Sequence, residues 1–329
     1  MPRTLSPVRS ALPVLLAVLA LLAAGCGSGG ADGDAAGGST VRVAHVPSTL
    51  FAPLYIAEAK GYFKEQGLRV RLETVKNGQD AVPLAASGKV DAVVAGFSAG
   101  LFNGVAKGLK VRVAASMGAA TGAGPSPSAL EVSQRLLDSG EVKTAADLRG
   151  RRIAVSGGVG AAGGYQLASA LQESGLTLKD VTVVDVAFTD MRTALSTGSV
   201  AAALPPAPLT TAMEEAGVST PLAVPPRGTV ATGVLFGTRF AATPAAAKFL
   251  TALRKGAADL QGTGRTAEVN LRILARATGQ RLGVLRHTPS YEWDPQLLPD
   301  TRQLMRQQAA YQEAGLLDGR ALTARDLVG

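Results

Sequence analysis

Two short glycine-framed motifs hold the residues best suited to chemistry. Gly96-Phe97-Ser98-Ala99-Gly100 is a G-x-S-x-G, and Gly158-Val159-Gly160-Ala161-Ala162-Gly163 is a G-x-G-x-x-G. Between a strand and a helix, the first pattern presents a serine hydroxyl at a sharp elbow, where it can attack an acyl carbon. That reaction needs an acid and a base later in the chain, and His287 is the only histidine after Ser98. No His-Gly-Gly stretch precedes the motif to build the usual oxyanion hole. A secreted esterase stays open as the enzyme reading, beside a plainer one in which Ser98 caps the following helix. The second pattern lets backbone approach an anion and offers the N–H groups and partial positive charge of a helix start. Asp185 stands near the end of the next strand, where a dinucleotide site would place its ribose-binding acid. The same turn can cradle a sulfonate, phosphate or carboxylate, or simply pack a helix against a strand.

Other reactive groups are few. Two histidines and one cysteine leave no transition-metal site, and no cofactor is expected. His45 shares strand parity with Val41 and Val43 and reads as structural. Trp293, within Tyr291-Glu292-Trp293-Asp294-Pro295, reads as a packed surface anchor.

The single cysteine has a distinct setting. Arg3 and Arg9 are followed by an apolar run over residues 11–24, shorter than the roughly 20 residues needed to span a bilayer. Ala23-Ala24-Gly25-Cys26 resembles the lipobox of bacterial lipoproteins, which implies cleavage before Cys26 and a diacylglycerol on its sulfur. An exported chain with one thiol cannot form an internal disulfide, and lipidation gives that thiol a use. Residues 1–25 thus read as a lipoprotein signal. Residues 26–40, rich in Gly, Ser, Ala, Asp and Thr, read as a flexible tether. Expected localisation is the outer face of the cytoplasmic membrane, held by lipid.

Without the two signal arginines, 31 lysines and arginines face 25 acids, a net charge of +6. No Lys/Arg run interleaves with aromatic residues, so nucleic-acid binding is a poor fit. Strand-like stretches at residues 41–46, 69–75, 91–96, 110–115, 152–155 and 181–186 alternate with helical ones, which predicts mostly parallel sheets covered on both faces. After residue 227 the chain reads as mainly helical, over 244–260, 266–278 and 299–314. The Gly/Ala/Pro/Ser-rich stretch at 117–128 reads as a crossing between two α/β lobes with a ligand cleft between them.

Specific residues then carry a family likeness. Tyr55-x-Ala57-x-x-x-Gly61-x-Phe63-x-x-x-Gly67-Leu68-x-Val70 resembles the first lobe of solute-binding proteins serving nitrate, sulfonate and taurine importers. That family also includes binders of the thiamine pyrimidine precursor. Asp147-Leu148-Arg149-Gly150-Arg151-Arg152-Ile153-Ala154-Val155 resembles its entry to the second lobe, and Ala194-Leu195-x-x-Gly198-x-Val200 a third stretch. Two departures stand out: Ala201 replaces an acid the family usually carries, and Pro206 stands where a Glu often precedes Pro. The resemblance implies a type 2 periplasmic-binding-protein fold, with 41–118 and 228–329 as lobe 1 and 119–227 as lobe 2. It implies capture of a small solute by lobe closure, delivery to an ABC permease, and a monomer.

Strand ends and helix starts expose unpaired N–H groups, which selects the expected contacts. These are Ser48, Thr49, Asn77 and Ser98 from the first lobe, and Ser156, Gly157, Gly158, Gly160 and Thr189 from the second. With no Arg or Lys read into these turns, backbone and hydroxyl donors would recognise an anionic or polar head group. A neutral heterocycle stacked on Phe51 or Phe97 is the other open reading.

Overall fold

A computed structural model describes residues 39–122 and 124–329. The expected signal segment, Cys26 and the expected tether up to residue 38 lie outside the described residues. None of the described helices is long and apolar enough to cross a membrane.

Among the described residues, ten strands form two five-stranded sheets. The first sheet holds β1 (Ser39–His45), β2 (Leu68–Thr74), β3 (Ala92–Gly96) and β4 (Val111–Ser116). The second holds β5 (Leu130–Ser133), β6 (Arg152–Val155), β7 (Thr182–Asp185), β8 (Ala202–Ala203) and β9 (Ser219–Ala223). The chain then returns to the first sheet as β10 (Thr232–Gly237). Spatial order is β2-β1-β3-β10-β4 in one sheet and β7-β6-β8-β5-β9 in the other. β1 runs parallel to β2 and β3, while β10 is antiparallel to β3 and β4. The second sheet repeats this plan, with β6 parallel to β7 and β8 and β5 antiparallel to β8 and β9.

The reversed strand of each sheet is the one that arrives directly from the other lobe. Two crossings, β4 to β5 and β9 to β10, therefore insert a strand beside the edge of each sheet. The crossings pair with each other: Met117 N–H donates to Thr232 O at 2.9 Å and Ala120 N–H to Thr229 O at 3.0 Å. Gly122 is required here, because a Cβ on it would lie 2.3 Å from Arg227 N. Ala119 also donates to Glu292 O at 2.8 Å, so the Tyr291–Trp293 stretch braces the crossing. Trp293 is 4% exposed and donates from its indole to Leu50 O at 3.1 Å; it is buried, not a surface anchor.

Each lobe packs its own apolar core. Leu54, Ile56, Phe63, Phe249 and Leu253 are essentially solvent-free around the first sheet, with the Phe63 and Phe249 rings stacked at 4.8 Å. Leu130, Val132, Ile153, Val155, Leu167 and Leu171 fill the second. The C-terminal helices Pro244–Ala258, Glu268–Thr278 and Thr301–Glu313 fall within the stretches their periodicity marks.

Two expectations change. β1 begins at Ser39, so the last two residues of the expected tether are strand, paired with Leu68 and Arg69. The region after residue 227 is not helical throughout. Thr232-Gly-Val-Leu-Phe-Gly is a central strand, its apolar run buried from both sides between β3 and β4.

Candidate functional site

The carboxyl ends of β1, β2, β3 and β6 point at one cavity of about 110 Å³ between the lobes. Each of the first three ends in a turn that caps a helix start. Ser48 Oγ accepts from Leu50 N–H at 3.2 Å, Asn77 Oδ1 from Gln79 N–H at 3.1 Å, and Ser98 Oγ from Leu101 N–H at 3.2 Å. Such capping satisfies N–H groups that a helix start otherwise leaves open. All three residues line the cavity, as do Phe51 and, from the second lobe, Ser156.

Capping also decides what these side chains can still offer. Asn77 spends its carbonyl oxygen on Gln79, leaving its two amide hydrogens. Ser98 accepts from Leu101 and keeps its hydroxyl hydrogen to donate. Ser48 has no hydrogen left to donate, because its hydroxyl also donates to Ala207 O at 3.4 Å. Lys76 lines the cavity beside Asn77, so a cation does stand in these turns, contrary to the sequence reading. It has no ion-pair partner among the described residues, and no Asp or Glu lines the cavity. The start of the helix Ala162–Leu171 adds the positive end of its dipole, with Ala161, Ala162 and Gly163 in the wall. An ammonium, an amide and a hydroxyl donor line one cavity, and its charge is positive.

The lobes meet beside this cavity. Ala99 N–H donates to Gly160 O at 2.8 Å, so the G-x-S-x-G elbow and the G-x-G-x-x-G turn bond to each other. The hydroxyl of Tyr311, on the helix Thr301–Glu313, reaches Phe97 O at 2.9 Å and Ala161 O at 2.8 Å. Thr49 Oγ1 donates to Ala207 O at 2.9 Å. Burial drives the Tyr311 phenol far above its ordinary range, so it remains a neutral donor.

The other expected residues fall nearby in different roles. Thr49 is buried and committed to Ala207. Phe97 is 1% exposed, its ring packed against Gly233 in the core, and it does not line the cavity. Gly157 and Gly160 border an adjoining surface recess with Ser98 and Gln79. Gly157 N–H donates to Asp185 Oδ1 at 2.7 Å, so the acid in the ribose-binding position is held by the turn itself. Gly158 serves the turn, its N–H bonded to Val155 O at 3.1 Å. Thr189 is exposed and bonds Asp190; its neighbour Phe188 lines the cavity instead. Gln79, Gln166 and Thr232 complete the polar part of the lining, none of them anticipated. Gln79 and Lys76 flank the expected Asn77, and Gln166 lies one helical turn beyond Ala162.

Neither histidine is placed to activate Ser98. His45 Nδ1 lies 3.0 Å from the Tyr55 hydroxyl, and burial lowers its pKa. His287 Nδ1 lies 3.2 Å from Glu215 Oε1 on the surface. Ser98 caps its helix, and no histidine lines its cavity.

Two α/β lobes joined by paired crossings, with a donor-lined cavity where their strand ends converge, define the type 2 periplasmic-binding-protein fold. The chain belongs to the family described as NMT1/THI5 like, which it matches over residues 48–263. Among solved structures it is similar to the alkanesulfonate-binding protein SsuA from Xanthomonas axonopodis pv. citri bound to MOPS. There the TM-score is 0.68 at 21% identity, covering 89% of this chain and 99% of that one. The periplasmic nitrate-binding protein NrtA from Synechocystis PCC 6803 gives a TM-score of 0.65 at 14% identity, covering 85% and 82%. Among curated proteins, a 4-amino-5-hydroxymethyl-2-methylpyrimidine phosphate synthase from Aspergillus parasiticus is 36% identical over 133 residues, 40% of this chain and 35% of that protein. The match thus spans about a third of that relative's length.

Proposed function

We propose that this protein is the extracytoplasmic solute-binding component of an ABC importer. In this reading it captures a small, acceptor-rich solute, an alkanesulfonate or a similar anion, by closing its lobes. The observation that carries it is the donor inventory of the cavity: Lys76, the Asn77 amide, the Ser98 hydroxyl and a helix start converge with no acid opposite them. Acceptor atoms of an anion satisfy such donors, and lobe rotation about the crossings at 117–120 and 228–232 buries them. The likeness to SsuA and NrtA supports this class. Lipid attachment at Cys26 would hold the protein beside its permease, and 118/119 and 227/228 serve as the lobe boundaries.

A pyrimidine is the second reading. Phe51 and Phe188 put two aromatic rings in the lining, and the curated relative is a pyrimidine phosphate synthase. A thermal-shift screen of alkanesulfonates, taurine, nitrate and hydroxymethylpyrimidine separates the two. Stabilisation by a sulfonate that weakens with added salt supports the anion reading, and stabilisation by the pyrimidine alone replaces it. If none of these solutes stabilises the chain, the assigned ligand class is wrong.

A further inference from the structure

Thr232 is the first residue of β10, where the returning crossing enters the sheet beside β3. The residue lines the central cavity and is only 4% exposed. Its Oγ1 is buried and has no hydrogen-bond partner. A buried hydroxyl without a partner is destabilising. Valine would fill the same shape without that cost. The backbone of the same residue belongs to the crossing, since Thr232 O accepts from Met117 N–H at 2.9 Å. Next to it, Ala231 O accepts from Phe97 N–H at 2.8 Å, at the root of the Ser98 elbow. One residue therefore joins a buried, unpartnered hydroxyl at the cavity wall to the ladder that links the lobes.

We infer that Thr232 is a specificity-determining residue whose hydroxyl bonds a polar atom at the inner end of the solute. This rests on the solute-binding reading. The solute enters polar end first, past Lys76 and Asn77, and a purely apolar inner end leaves Thr232 unsatisfied and is rejected. Stability is given up at this position for recognition, as is common at binding sites.

The test compares Thr232→Val and Thr232→Ser with the unaltered full chain. Without solute, Thr232→Val should melt about 3 °C higher, because it removes an unpaired buried hydroxyl. For the solute that stabilises the unaltered protein most in the screen above, Thr232→Val should bind about tenfold more weakly by calorimetry. Thr232→Ser should stay within about threefold of the parent. A Thr232→Val melting point below the parent overturns the inference, because the hydroxyl then has a protein partner. Unchanged affinity in Thr232→Val overturns it as well. If no solute in the screen binds, the proposed ligand class fails separately, and a crystal structure of the purified protein decides this point. A water or co-purified molecule on Thr232 Oγ1 supports the inference, and a bond from Oγ1 to a protein carbonyl contradicts it.

Discussion

Ala99 and Gly160 are joined across the cleft by a 2.8 Å hydrogen bond from the amide of one to the carbonyl of the other. The amide belongs to the first turn of the helix Ala99–Ala106, and Ser98 caps the amide two residues further on. The two glycine-framed motifs that suggest a nucleophile and a cofactor site are thus the two faces of one contact between the lobes. Their glycines permit close approach between lobes, and the residues beside them line the cavity.

Gly96 gives the cleanest way to wedge that contact open. A Cβ on Gly96 would lie 2.4 Å from the Ala162 Cβ, and the three nearest atoms it would meet all belong to Ala162 in the second lobe. Gly96→Val should leave the first sheet intact and hold the lobes apart. Small-angle scattering should show a larger radius of gyration, and solute affinity should fall about five- to a hundredfold, matching an overpacking cost of about 1–3 kcal/mol.

Tyr311 bonds both lobes through one hydroxyl. Tyr311→Phe keeps the ring against Phe102, where the centroids lie 5.9 Å apart, and removes only the bridge. Phe97 O keeps the Gln307 amide at 2.5 Å, while Ala161 O loses the Tyr311 donor. Urea unfolding should show a loss of about 1–2 kcal/mol. A loss within error would mean that the bridge contributes nothing to closure.

Glu131 makes stability pH-dependent in an unusual direction. It is fully buried on β5, Ser219 Oγ donates to its Oε2 at 2.8 Å, and its Oε1 has no partner. Burial first, and the neighbouring Glu214 as well, push its pKa from 4.5 up to about 8. Between those values the folded state keeps a proton that the unfolded chain has released. Stability therefore falls as pH rises through this window and levels off above it. Glu131→Gln has no such proton to lose, so its melting point relative to the parent should rise between pH 5 and pH 8.5. A pH-independent difference would contradict this account.

Ser98→Ala separates binding from catalysis. Loss of the cap should cost about 1 kcal/mol of stability and weaken solute binding. The parent protein should hydrolyse no nitrophenyl ester above background. Ester turnover that vanishes in Ser98→Ala would restore the esterase reading.

Much of this site can be read from strand ends. β1, β3 and β6 are rich in Val, Ala and Ile between polar punctuation, so their carboxyl ends, and with them Ser48, Ser98 and Ser156, follow from pattern. Other parts have no local signal. β8 is only Ala202-Ala203, too short and too small to show alternation, and it becomes a strand because β5 and β6 flank it. β10 is a short apolar run that a buried helix would match equally well, so Thr232 was hidden with it. Thr189 misses by one residue because pattern sets a loop's position more loosely than the direction of its side chains; Phe188 is the one facing in. Lys76 could have been found, since it precedes Asn77 in the same turn. The commitment of Thr49 to Ala207 and of Asp185 to Gly157 depends on contacts 158 and 28 residues apart, which no local pattern encodes.

The central claim is capture by closure, and small-angle scattering of the full chain with and without a stabilising solute tests it most directly. The account predicts a radius of gyration that falls on solute addition in the parent protein and does not fall in Gly96→Val. A solute that binds by calorimetry yet leaves the parent's scattering curve unchanged would contradict it.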